Sequence, residues 1–332
     1  MSSDDKEPKE MILEPKLEAQ GTYGCVFHPG ITCDGHTEDI KYVSKIQKTS
    51  EENNNEIQIG EIIKTIDNHD LYFAPIISSC ELEIAKIKND DIEKCEIMKE
   101  KVGAFRSNKI RFVGKKDVFD YLSENPTGIK RVHSHLLEAL RILSSKNIVH
   151  YDLKYNNIMY DENNHIPIII DFGLSHQYPF DMNTHFYIYS PGYEPWNIDI
   201  VMASYIQDNP NSINSKIYME KIDEILNEYV EKNPMFKLFT KPTIRKWLSE
   251  HHDFFKKYEE KQITWNELCI ELCKYYKTWD NYALSIIILK IMNKVKPNEP
   301  KYTKILKDII KSTPDKRLTV ESTQTKLLQS KL

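Results

Sequence analysis

The residues best placed to do chemistry form one constellation: His150-Tyr151-Asp152-Leu153-Lys154-Tyr155-Asn156-Asn157, followed by Asp171-Phe172-Gly173. Ile158 to Tyr160 reads as a strand, Asp161 to His165 (DENNH) as a polar turn, and Ile168 to Ile170 as a strand returning antiparallel. A hairpin brings its two ends together. Asn157 then lies just before the outgoing strand and Asp171 just after the returning one, so two hard oxygen donors meet at one end of the ribbon. Such donors suit Mg²⁺, which takes few protein ligands and completes its shell with phosphate oxygens and water. Asp152 would sit beside that ion and reach a substrate hydroxyl, the place for a general base. Lys154 would neutralise a phosphoryl group in transfer.

Two kinds of texture surround this constellation. Residues 16 to about 115 mix strand-like pieces (Thr22 to Phe27, Lys41 to Gln47) with one helix, Asn55 to Ile66, in which Ile59, Ile62, Ile63 and Ile66 recur at helical spacing. Within Ile76 to Val113, either Glu93 to Met98 or Lys109 to Val113 is the last strand of this part; the second is favoured. Beyond residue 116 the helical period dominates. Ile129, Val132, Leu136, Leu137, Leu140 and Leu143 make one apolar stripe, and Ala283 to Met292 is apolar nearly all round, as in a helix sunk in the middle of a lobe.

Composition sets bounds on function. In 332 residues, 45 basic side chains face 50 acidic ones, a formal net charge of −5, so no basic footprint for nucleic acid or an anionic membrane exists. The longest apolar stretch, Ser285 to Met292, is far shorter than the roughly 20 residues that cross a bilayer. Residues 1–15 read as a disordered lead-in rather than a secretory signal. Cys25, Cys33, Cys80, Cys95, Cys269 and Cys273 are scattered and read as free thiols of a reducing compartment, with cytoplasm as the default. Cys25, His28, Cys33 and His36 have metal-ligand character, but free thiols are the better reading than zinc.

His-x-Asp-x-x-x-x-Asn followed by Asp-Phe-Gly resembles the catalytic and metal-binding loops of eukaryotic-type protein kinases. The resemblance implies an α+β, bilobal fold, with a small β-rich lobe over residues 16–114 and a mainly helical lobe over 115–332. It implies ATP and Mg²⁺ as cofactors. Ala19-Gln20-Gly21-Thr22-Tyr23-Gly24-Cys25-Val26 resembles the Gly-rich loop over the nucleotide phosphates, with Ala19 where the first glycine would be and Val26 capping the adenine. Lys45 matches the strand lysine that grips the α and β phosphates, and its ion-pair partner would be Glu56 or Glu61 on the next helix. Glu56 has the better spacing to point inward. Ser190 to Pro195 is similar to a degenerate Ala-Pro-Glu segment, whose Glu194 would pair with Arg317. Asp280 to Leu284 resembles the start of the family's buried central helix.

The departures carry expectations of their own. Tyr151 stands where many members have the Arg that holds a phosphorylated activation segment, so activity should not require phosphate on Thr184 or Ser190. Lys154, two residues after the catalytic Asp, resembles serine/threonine rather than tyrosine kinases. The long stretch from Glu194 to Asp280 implies a helical insertion at about 207–275, with helices at Ile217 to Tyr229 and Trp247 to Tyr258. It reads as a packed addendum before it reads as a partner-docking module. The degenerate motifs, the insertion and the Ile-, Lys- and Asn-heavy composition resemble the kinases of large cytoplasmic DNA viruses. Phosphoryl transfer to Ser or Thr hydroxyls of proteins is the expected function. The rival is a pseudokinase, a nucleotide-binding or scaffold module that keeps the fold. A small-molecule kinase of related fold is disfavoured by the activation segment and Arg317.

Overall fold

The computed structural model describes residues 14–21, 24–87, 90–99, 103–180, 186 and 188–330. Thr22, Tyr23 and Thr184 lie outside the described residues, as does most of the 1–15 lead-in. The chain divides into two compact units. The first comprises residues up to 65 together with 74–112; the second comprises 66–73 and everything from 113 onward. The excursion 66–73 joins the second unit through local bonds: the Ile169 amide donates to Tyr72 O at 2.9 Å, Tyr72 stacks on His135, and Phe73 meets Phe172 edge-on.

The first unit is built on a five-stranded antiparallel sheet. β1 (Lys16–Gly21), β2 (Gly24–His28) and β3 (Tyr42–Lys48) run in order, followed by β5 (Phe105–Arg111) and, at the far edge, β4 (Ile76–Glu81). Strand alternation splits β2 between two faces. Cys25 and Phe27 are fully buried and join Ile46, Leu82, Cys95, Met98 and Phe105 in one core. Val26 falls on the opposite face, paired with Lys45 across the β2–β3 ladder. The last strand is therefore Phe105–Arg111, a few residues ahead of the expected one, and Glu96–Lys99 is a single helical turn.

α1 (Glu51–Lys64) starts earlier than the isoleucine spacing implies. Ser50 takes an extended conformation and its hydroxyl accepts from the Asn53 amide at 3.2 Å, so the polar run after it becomes the first turns of the helix. Asn53 then donates to Gln47 Oε1 at 2.8 Å, and Asn108 donates to the same oxygen at 2.6 Å. This buried polar chain fixes α1 against β3 and β5, and with it the direction in which Glu56 points.

Four of the six cysteines are paired, which corrects the reading of free thiols. Cys25 is bonded to Cys95, and Cys33 to Cys80, each with Cα atoms 6.0 Å apart. Cys25 and Cys95 meet because the segment after β4 folds back across the core face of β2, a contact between residues 70 positions apart that no local pattern announces. With the pairing, the ground for a reducing compartment is removed. Cys269 and Cys273 are free and buried, as expected. Among the described residues no helix is long and apolar enough to cross a membrane.

The second unit is mainly helical. Its post is the helix Trp279–Val295, in which every residue from Trp279 to Leu289 is buried. Against it lies the helix Ile129–Ser145, whose apolar stripe is buried as its spacing requires. The β-ribbon has strands Ile158–Asp161 and Ile166–Ile170 in antiparallel register, Ile158 opposite Ile169. Asp161 closes its turn, accepting from the amides of Asn163 and Asn164 at 3.0 and 3.1 Å. Between residue 196 and the central helix lie four α-helices, Ile198–Asp208, Met219–Lys232, Lys241–Glu260 and Trp265–Cys273. The first packs on the fourth and the second on the third, burying Trp247, Phe254, Phe255 and Trp265.

Candidate active site

The ribbon register puts Asn157 and Asp171 at one end of the hairpin, flanking the paired residues Ile158 and Ile169. Asp152 is buried at the same end, and three side chains converge on it. Lys154 Nζ donates to Asp152 Oδ2 at 3.0 Å, Asn157 Nδ2 donates to the same oxygen at 3.1 Å and to the backbone carbonyl at 2.9 Å, and the Tyr193 hydroxyl donates to Oδ1. Lys154 Nζ also lies 3.2 Å from the Tyr193 hydroxyl oxygen.

The backbone carrying Asp152 is held from below. Asp280, at the head of the central helix, accepts from the amides of His150 and Tyr151 at 2.7 and 3.1 Å. Burial pushes its carboxyl above the ordinary aspartate range, against the pull of His150 and those two amides. Tyr151 and Asp171 both take left-handed backbone (φ 68° and 62°). A non-glycine residue pays of order 1–2 kcal/mol for that conformation, so it persists where surrounding bonds over-determine it. Around Tyr151 those bonds are the two to Asp280 and one from Trp196 Nε1 to its carbonyl at 2.9 Å. Around Asp171 they are the bond from the Gly173 amide to Oδ1 at 3.3 Å and that between His150 Nε2 and Ile170 O at 3.0 Å.

Asn157 spends its amide nitrogen on Asp152, which turns its Oδ1 away from that carboxylate, and Asp171 offers a half-buried carboxylate at the same ribbon end. The donor set is hard oxygen. Among the described residues no group of three or more His, Cys, Asp or Glu could hold a metal by itself. Two hard protein oxygens are the kind of donor set Mg²⁺ takes, its remaining ligands being phosphate oxygens and water.

The first unit carries the remaining candidates. Lys45 Nζ lies 3.1 and 3.0 Å from the two oxygens of Glu56, with the two side chains 13% and 3% exposed. Glu61 instead pairs with Lys64 at the surface. The Gly-rich strands pair Gly21 with Gly24 and Ala19 with Val26. A Cβ on Gly24 would stand 2.7 Å from Ile46 O, so this position has to be glycine. Nothing lies within 4 Å of one on Gly21. Gln20 accepts from the Glu96 amide at 3.3 Å.

The family model described as "Protein kinase domain" matches residues 19–329. The chain belongs to the protein kinase domain family. Over 164 residues it is 29% identical to "Serine/threonine-protein kinase fused" of Drosophila melanogaster, covering 48% of this chain and 17% of that protein. Over 44 residues it is 43% identical to "Serine/threonine-protein kinase D" of Synechocystis sp., covering 13% of this chain and 9% of that one. The match thus spans under a fifth of either relative.

Within this kinase domain one expected pair is replaced. Glu194 does not meet Arg317. Its carboxylate takes Lys290 at 2.7 Å, while Arg317 forms a bidentate pair with Asp199 at 2.9 and 3.0 Å, joined by Trp279 Nε1 at 3.1 Å. Asn197 caps the helix Ile198–Asp208, its Oδ1 accepting from the amides of Asp199 and Ile200, and this sets Asp199 in the first turn. Tyr193, like Asp199, is a residue that sequence reasoning passed over. Its place inside the Ser190–Pro195 segment was the only signal, and nothing local says that its hydroxyl reaches Asp152.

Proposed function

We propose that the chain is an ATP-dependent serine/threonine protein kinase acting on hydroxyls of protein substrates. The observation that carries this reading is the convergence of Lys154, Asn157 and Tyr193 on the buried carboxylate of Asp152, with Asp171 at the same ribbon end. Asp152 orients the acceptor hydroxyl and takes its proton as the oxygen attacks. Lys154 offsets the charge that gathers on the phosphoryl group in flight. Lys45, held by Glu56, grips the nucleotide phosphates, and the β1–β2 hairpin with Val26 covers the nucleotide. Asn157 and Asp171 would hold Mg²⁺, which when bound draws charge from the phosphate oxygens. Catalysis is then positioning and electrostatics supplied by preset groups. A place among kinases of large cytoplasmic DNA viruses would rest on the degenerate motifs, the Cys and Pro-Gly segment after the Gly-rich loop, the helical insertion and the Ile-, Lys- and Asn-heavy composition.

The rival pseudokinase reading draws on Ala19, which replaces the first glycine of the nucleotide loop. Transfer of labelled γ-phosphate to a generic protein or to the chain itself separates the two. The native chain should transfer, and Asp152→Asn and Lys45→Met should each lose at least a hundredfold in rate. Activity surviving both substitutions ends the kinase assignment. Thermal stabilisation by nucleotide without any turnover would favour the scaffold.

A further inference from the structure

Residues 189–196 are fastened at several points, and four of the bonds come from the insertion. Tyr189 donates from its hydroxyl to Glu228 Oε2 at 2.7 Å. Asn233, 2% exposed, donates from Nδ2 to the carbonyls of Pro191 and Tyr193 at 3.4 and 3.3 Å. The buried Tyr229 hydroxyl donates to Trp196 O at 2.8 Å. Opposite, Tyr151 stands 5.1 Å from Trp196 and 6.0 Å from Phe186, ring centre to ring centre. No charged side chain is needed for any of these contacts except the Glu228 carboxylate.

We infer that Tyr193 is a positioning residue for Asp152 and Lys154, and that the insertion, through Glu228, Tyr229 and Asn233, braces the segment carrying it in the working arrangement without a phosphate. The inference rests on the kinase reading and adds to it a role for the insertion. Tyr193 and Asn157 reach different oxygens of the Asp152 carboxylate. Tyr193 donates to the one that Asn157 and Lys154 leave alone, so the carboxylate is oriented through both oxygens. A carboxylate so held loses little freedom when an acceptor hydroxyl arrives, which is the benefit of preorganisation. Asn233 holds the peptide carbonyl of Tyr193 itself, and so passes its position to the ring. An aromatic contact at Tyr151 and hydrogen bonds from a helix are permanent features of the fold, whereas an Arg clamp waits for a phosphate.

The experiment compares native chain with Tyr193→Phe, which removes the hydroxyl alone, and Asn233→Asp. The second keeps an oxygen for the Met235 amide that Asn233 now caps at 3.0 Å and removes both donated bonds. All proteins are treated with phosphatase first. Tyr193→Phe should unfold within a few degrees of native and Asn233→Asp well below it, since its buried carboxylate faces the Pro191 and Tyr193 carbonyls. Below their melting temperatures both should keep the native KM for ATP, while kcat falls roughly tenfold to a hundredfold, the scale of losing a hydrogen bond to a charged group. Tyr189→Phe, at a partly exposed position, serves as the milder brace variant should Asn233→Asp fail to fold, with a loss of roughly threefold. A kcat within twofold of native for Tyr193→Phe overturns the positioning role, and so does a rise, which would mean that the ring obstructs the acceptor. A large rate gain on phosphorylation of the segment overturns the brace. Hydrogen exchange gives a readout that needs no activity. The amides of Tyr193 and Trp196, bonded to Ser190 O and Tyr193 O at 3.0 and 3.1 Å, should exchange at least tenfold faster in Asn233→Asp. Unchanged exchange overturns the brace even if the native chain transfers no phosphate, a result that would end the kinase reading separately.

Discussion

Removing the guanidinium of Arg317 should strand a carboxylate in the middle of the second unit. The Arg317 and Asp199 side chains are 1% and 0% exposed, and two donated bonds at 2.9 and 3.0 Å join them. Arg317→Met keeps most of the stem volume and deletes both bonds, leaving Asp199 with the Trp279 indole and no cation. Breaking one side of a buried ion pair costs about 3–5 kcal/mol, because the surviving charge has neither water nor partner. Asp199→Asn in the same background removes that charge, so a double-mutant cycle should return a coupling of at least about 2 kcal/mol. Glu194 makes the contrast. Its pair with Lys290 is 22% and 33% exposed on the two side chains, so Glu194→Gln should cost at most about 1 kcal/mol and show no measurable coupling to Arg317→Met. The assay is urea unfolding followed by tryptophan fluorescence, since the Trp279 indole donates directly to Asp199 and reports on the network. A coupling of Arg317 to Glu194 as large as that to Asp199 refutes the pairing described above.

Three further outcomes are expected. Unfolded in denaturant without reductant, the chain should offer two alkylatable thiols, Cys269 and Cys273, and six after reduction; more than two before reduction refutes the pairings. Reduction should also lower the thermal midpoint of the first unit, since closing the loop of 70 residues between Cys25 and Cys95 is worth about 4 kcal/mol in chain entropy when taken alone. Burial holds the imidazoles of His133 and His251 down to about 3, below their ordinary 6.5, so stability is intact above about pH 6.5 and falls with acid as the unfolded chain takes up protons the folded one refuses. Each should remove about 1.4 kcal/mol per pH unit between about pH 6.5 and 3, and a urea midpoint unchanged from pH 7 to pH 5 refutes the assignment.

What could be read in the residues, and what could not, divides by the range of the interaction. The ribbon was legible because its determinants are local. DENNH closes a turn through Asp161, two apolar runs flank it, and the geometry of a hairpin does the rest, bringing Asn157 and Asp171 to one end. The Lys45–Glu56 pair was legible because the kinase resemblance implies a partner for Lys45 on the next helix, and helical period then favours Glu56 over Glu61 as the one facing inward. Asp199, Tyr193, Asn233 and the paired cysteines are of another kind. Each meets a partner far along the chain, and each belongs to a residue type that the sequence offers in several places, so no spacing picks it out. The disulfides show this most plainly: six cysteines admit many pairings, and only the fold-back of the segment after β4 selects two. The helical insertion follows the same logic. Its helices were visible in their own periodicity, but their effect on the site passes through Asn233 and Tyr229, whose bonds to the carbonyls of Tyr193 and Trp196 exist only once the insertion has folded against the central helix. A local motif thus names the reacting groups, while long-range packing decides how firmly they are held.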